Sequence, residues 1–318
     1  MKLYLVVLVF FSSVLAGELH LPKYHFMASG AVNDIMVQDN KLYAATDASY
    51  LDVFSLIDHK KIQSIKLDKI IDFMGDTIDS TIFSVDVMAG KIMMLSQGLK
   101  GYSRVYLYEN EKLSLLIKDT DHLAVSKAKF LDKNTLLLAL LSDEIISYDI
   151  QKHKQNYRVA SSASKFSDFV LNEDKSQVVV ADESGNLQML NTKNGKHLLT
   201  LSGQNLDDVF GVDYKNGIIA TAGKDRRVVI YNTNTDEVYY KTSSFFIYSV
   251  GLSPSANVAA YSSDVSNNIT LFNTKTKLIV AEYGGNKSPL SKILFISENE
   301  FIVSSAKKKI NLYIINEE

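Results

Sequence analysis

The chain contains no cysteine. This excludes a disulfide framework, a thiolate metal site, c-type haem attachment and a lipid-modified cysteine anchor. It also contains no tryptophan, and neither sign of charge prevails, with 34 basic residues against 36 acidic ones. So near a balance gives no reason to expect nucleic acid or an anionic membrane as partner. Good helix formers never gather into long amphipathic stretches. Three catalytic signatures are missing as well: a Gly-x-Ser-x-Gly elbow, a glycine-rich phosphate cradle and an Asp-x-Asp-x-Asp calcium loop.

What is present begins with a leader. Lys2 precedes an almost wholly apolar run from Leu3 to Leu15, which ends in Val14-Leu15-Ala16. This pattern predicts a Sec-type signal peptide, residues 1–16, cleaved before Gly17. The run is too short for a membrane span, which needs about 20 apolar residues. No Arg-Arg pair precedes it, so the twin-arginine route is not expected. No second long apolar run follows, and residues 17–318 are expected to form one soluble domain. An exported chain of this length without disulfides suits a bacterial periplasm.

Beyond the leader one pattern returns. A β-branched or aromatic run ends in a large apolar residue, usually followed by Asn or Asp: Tyr148-Asp149, Leu190-Asn191-Thr192, Tyr231-Asn232-Thr233 and Phe272-Asn273-Thr274. Phe54, Tyr108 and Tyr313 hold the same place in weaker copies. After a first gap of 54, the spacing is 40, 42, 41, 41 and 41 residues. That is the period of a four-stranded propeller blade. In the fifth copy Val209–Asp213, Ile218–Ala222, Arg227–Tyr231 and Glu237–Lys241 read as strands, with Asn216-Gly217 as a hairpin turn. Seven copies predict an all-β, seven-bladed propeller. The last copy, Ser291 to Ile315, has only three strands, and Glu18 to Phe26 is expected to supply the fourth and close the ring.

Across about 290 residues the repeats resemble the WD40 family. The terminal Trp-Asp of that family is replaced by Tyr148-Asp149, Leu190-Asn191, Tyr231-Asn232 and Phe272-Asn273, and its Gly-His pair is missing. Asp225, in Gly223-Lys224-Asp225-Arg226, matches the family's hairpin Asp, with Asp143 and Asp264 as further matches. The family's Asp-His-Ser/Thr-Trp network is therefore not expected. The Val-Leu-Ala-Gly start, the cysteine-free mature chain and the Trp-free blades also resemble the periplasmic nitrate reductase accessory protein family NapL. That resemblance implies an exported, non-catalytic helper whose partner is periplasmic nitrate reductase or its maturation factors.

His20, His25, His59, His122, His153 and His197 are scattered along the repeat and do not converge as metal ligands must. Loop and strand-entry carboxylates such as Asp34, Asp168, Asp207 and Asp208 would have to ring the channel in a propeller lactonase. Such residues more commonly cap backbone amides. No catalytic residue, cofactor or metal is therefore expected. A lactonase-type enzyme and a small-molecule-binding propeller remain the alternatives. For a protein partner, the stretch near 67–83 interrupts the period and carries Ile70, Ile71, Phe73 and Met74. It should neighbour the long loop bearing Leu99 and Tyr102. Insertions in repeat proteins commonly mark a binding face; the other reading is a loop folded back on its own blade. A secondary basic patch is expected from Lys224, Arg226 and Arg227 with Lys307, Lys308 and Lys309, which share one hairpin position.

Overall fold

The computed structural model describes residues 19–315, and the expected leader, residues 1–16, lies outside them. Seven blades of four antiparallel strands follow one another in chain order, the sixth carrying a fifth, parallel strand. Blade one, for example, is built from Val32–Gln38, Lys41–Thr46, Tyr50–Ser55 and Lys61–Lys66. All seven repeat anchors, from Phe54 to Tyr313, fall on third strands.

The repeat motif has a local explanation. The Asn after the anchor opens the turn to the outer strand: Asn191, Asn232 and Asn273 each accept a backbone N–H two residues on, at 3.0 Å. The following Thr donates to a carbonyl in the turn between first and second strands. Thr192 reaches Lys175, Thr233 reaches Gly217 and Thr274 reaches Ala256, at 2.6 to 2.9 Å. Each motif thus joins both hairpins at one end of its blade.

Both faces of a blade are covered by its neighbours. Second strands are consequently apolar along their length rather than alternating: Leu136, Leu137, Leu138 and Ala139 are all fully buried. The core is a series of layers between blades. Leu51 and Val53 of blade one pack with Val85 and Met94 of blade two, and Met93 and Leu95 of blade two pack with Leu136 and Leu138 of blade three.

Ring closure uses two strands, where the sequence suggested one. Tyr24–Met27 pairs antiparallel with Lys309–Ile314 and completes blade seven. Leu19–His20 instead runs parallel to the outer strand of blade six, opposite Glu282 and Tyr283. Pro22 lies between them. A proline has no N–H to give a ladder, so pairing breaks there and the chain passes from one blade to the next.

Candidate protein-interaction face

In an antiparallel blade, the loops leading into the inner strands and the hairpins between second and third strands emerge at one end. The upper face of the ring is therefore built from these two sets of loops, and the residues expected to bind a protein partner lie on or beside them.

The stretch after blade one is a small hairpin, with Ile70–Ile71 paired to Thr77–Ile78. Its foot is fixed. Ile70 is only 3% exposed, the Ser80 amide donates to Ser49 Oγ at 2.7 Å, and Ser80 Oγ donates to Gln97 O at 2.9 Å. Its tip is fixed too. Asp72 Oδ1 accepts the amides of Met74 and Asp76, both at 2.9 Å, and Gly75 takes a φ of +92° that glycine tolerates freely. Between foot and tip the apolar side chains point outward: Phe73 is 94% exposed, Met74 72% and Ile71 59%. Ile70 belongs to the core and leaves the expected contact set.

Leu99 and Tyr102 are half-buried rather than free. Leu99 opens a single 3-10 turn, Leu99–Gly101, whose first amide donates to Asp119 Oδ1 at 2.7 Å. Arg104 grips the other Asp119 oxygen through Nε and Nη2 at 2.8 and 2.6 Å. Tyr102 leans on His122 with ring centroids 4.9 Å apart. The two loops do adjoin at their bases, where the Gln97 amide donates to Thr81 O at 2.8 Å. Tyr102 and the partly exposed Phe83 line one groove there.

The basic hairpins are placed as expected but are set apart by blade six. Lys307, Lys308 and Lys309 are exposed. Arg227 is committed to its own blade, with its guanidinium 4.1 Å from the Tyr240 ring centre and donating to Gln204 O at 2.7 Å. Lys224 sits 3.4 Å from Asp207. Among the described residues no group of three or more His, Asp or Glu is arranged to hold a metal.

One feature of the face was not anticipated. Phe245 and Phe246, on the loop entering blade six, stack at 5.1 Å, and Tyr248 stacks on Phe210 at 5.5 Å. All four rings are partly exposed, and Phe210 and Tyr248 line the channel mouth. The adjacent phenylalanines in a serine-flanked loop were the available signal, since neither strand alternation nor turn chemistry calls for them there.

The channel holds about 640 Å³ and is braced by charge. Asp34 is nearly buried. Its Oδ1 lies 2.6 Å from Lys292 Nζ, and its Oδ2 lies 3.3 Å from Lys129 Nζ. Burial would raise the Asp34 carboxyl, but Lys129, Lys292 and Lys127 overcome this and hold it well below the usual carboxylate range. Burial pulls Lys129 below its ordinary value against the attraction of Asp34. For Lys292 the net direction is reversed: burial pulls it down, and Asp34, helped by Asp168 and Asp213, more than compensates. Lys127 pairs with Asp168 and donates to Phe169 O at 2.7 Å.

The channel carboxylates also latch blades together. Asp34 accepts the Val85 amide of blade two at 3.0 Å, and Asp86 accepts the Phe130 amide of blade three at 2.7 Å. Asp168 accepts the Val212 amide of blade five at 3.1 Å, and Asp213 accepts the Leu252 amide of blade six at 2.8 Å. Capping is thus what Asp34 and Asp168 do, and they do it across blades, with Asp34 also accepting the Ile35 amide of its own strand at 3.0 Å.

Solved structures share this architecture at low sequence identity. A chain of a mitotic checkpoint complex matches with a TM-score of 0.75 at 12% identity, over 100% of this chain and 98% of its own. The Cps50 (Swd1) β-propeller domain from Myceliophteria thermophila matches with a TM-score of 0.74 at 11% identity, over 93% and 99%. The fold is the seven-bladed β-propeller. No protein-family model and no curated protein matches the sequence, so the resemblance to NapL gains no support from them. Among the described residues no helix is long and apolar enough to cross a membrane.

Proposed function

We propose that this chain is a non-catalytic protein-binding scaffold that docks its partner on the upper face. The carrying observation is the hairpin after blade one. Phe73 and Met74 stand almost fully exposed on a turn that is hydrogen-bonded at both tip and foot. A rigid, preorganised apolar anchor is what a binding hot spot requires, because little ordering entropy remains to be lost. The propeller neighbours are in keeping with a scaffold. The finer reading is periplasmic export and service to nitrate reductase or its maturation factors; it rests on the leader and on the family resemblance.

Phe73→Ser with Met74→Ser should weaken partner capture roughly tenfold or more, since each 1.4 kcal/mol is a factor of ten and hot-spot truncations cost about 2 kcal/mol. The variant should unfold at the wild-type temperature, because neither side chain is packed. The measurement is capture from a periplasmic extract, with mass spectrometry asking whether nitrate reductase or a maturation factor is retained. A folded variant with full-strength capture would move the binding surface to Phe245 and Phe246 or to Lys307, Lys308 and Lys309.

Export has its own check. Intact mass of the native protein should correspond to a chain starting at Gly17, recovered in the periplasmic fraction. A membrane-bound chain retaining Met1 would refute it.

A further inference from the structure

Where blades three and four meet on the upper face, two carboxylates are buried without a basic partner. Asp143, at the tip of the blade-three hairpin, is 0% exposed, and Asp182, at the end of the second strand of blade four, is 1% exposed. Both Asp143 oxygens, Asp182 Oδ2 and Ser161 Oγ are shielded from solvent and make no hydrogen bond of good geometry. They make up four of the six such side-chain atoms among the described residues.

The backbone brings them together. The Ser161 amide donates to Asp143 O at 2.8 Å, and the Phe166 amide donates to Leu141 O at 3.3 Å. Phe166 in turn sits opposite Asp182 in the blade-four ladder. No lysine or arginine pairs with either carboxylate among the described residues, whereas Asp34, Asp119 and Asp168 each have a basic partner. Burial raises the Asp143 carboxyl to about 6 and the charge of Asp182 adds to it; weak hydrogen bonding from Ser162 and Ser161 opposes the shift without cancelling it.

A buried carboxylate with no positive charge beside it is unfavourable. Water could supply hydrogen bonds but no positive charge. We propose that Asp143, Asp182 and Ser161 bind one hard divalent cation of calcium size between blades three and four. The donors are all oxygen, as a hard cation prefers, and two carboxylates balance its charge. The adaptable coordination of Ca²⁺ suits a site assembled from two hairpins and a loop better than the strict octahedron of Mg²⁺. Asp182 Oδ1 is already held by the Ser184 amide at 2.7 Å, leaving Oδ2 as the donor. The metal would be structural and tie two blades together. This departs from the metal-free expectation drawn from the sequence and leaves the docking reading untouched, since the hairpin bearing Phe73 lies between other blades.

The test uses the mature protein stripped with chelator and desalted. Calorimetric titration with Ca²⁺ should give one site per chain, with a Kd of about 0.1 to 1 mM, the range of extracellular calcium modules. Saturating Ca²⁺ should raise the unfolding temperature by about 1 to 4 °C, and Mg²⁺ by less. Asp143→Asn keeps the shape and removes the charge, so it should fold but lose both the heat of binding and the calcium-dependent shift. Two results would overturn the proposal. One is wild-type protein that shows no heat and no shift with Ca²⁺; if it is also stabilised by mild acidification, the carboxyls hold a proton in place of a cation. The other is Asp143→Asn that still binds Ca²⁺ as wild type does.

Discussion

Deleting residues 17–27 is expected to cause the largest loss of stability of any change considered. The segment contains both closing strands. Phe26 is 2% exposed and packs on Phe54 with ring centroids 5.3 Å apart, in a core layer shared with Leu42, Ile302, Ile310 and Leu312. Truncating a buried Phe to Ala alone costs about 3–5 kcal/mol. The deletion adds the four-residue ladder with Lys309–Ile314 and bares that strand as an open edge, which invites pairing between chains. Just beyond it, the Ser29 amide and hydroxyl are held by Asp52, which also meets Lys61 at 3.0 Å; without the strand this anchor has only blade one to hold. The shortened protein should unfold well below the wild type and self-associate on size exclusion. Deleting residues 17–22 alone removes only the short parallel addition to blade six and should cost much less. Unchanged thermal unfolding of the longer deletion would show that the strand does not close the ring.

The fold was legible because its signals are local and repeated. The anchor followed by Asn-Thr satisfies two hairpins within its own blade, so it had to recur with the blade period. The division of the N-terminal segment was less legible, although Pro22 marks the break: which neighbour takes Leu19–His20 depends on where blade six ends in space. In the insertion, alternation over a two-residue strand is too short to separate buried Ile70 from exposed Ile71. The channel was hidden for another reason. Lys129 and Asp34 are 95 positions apart, and Lys292 and Asp34 are 258 apart. A lysine in a strand reads as solvated until the ring brings a carboxylate to it. The same holds for Asp143, which resembles any hairpin aspartate until blade four is laid over it.

Replacing Asp34 should have the largest effect of any single substitution in the channel. The carboxylate serves two ammonium groups, the Val85 amide and Ser84 Oγ at once. Asp34→Ala leaves Lys129 and Lys292 near each other, partly buried and unpaired, and removal of one partner from a buried ion pair costs about 3–5 kcal/mol. Denaturant or thermal unfolding should register that loss. Adding Lys129→Met and Lys292→Met to Asp34→Ala should recover much of it, because apolar replacement of a whole buried ionic cluster is often neutral or better. The acid limb of the stability curve gives a second reading. The folded Asp34 carboxyl is held below its unfolded value, so its contribution is complete above the unfolded carboxylate value of about 3.9 and is lost as pH falls below it toward the folded value. Wild-type protein should therefore lose more stability on acidification below about pH 4 than Asp34→Ala does. Parallel acid limbs, together with near-wild-type stability at neutral pH, would show that the cluster contributes nothing net and that the amide latches of Asp86, Asp168 and Asp213 carry the ring without it.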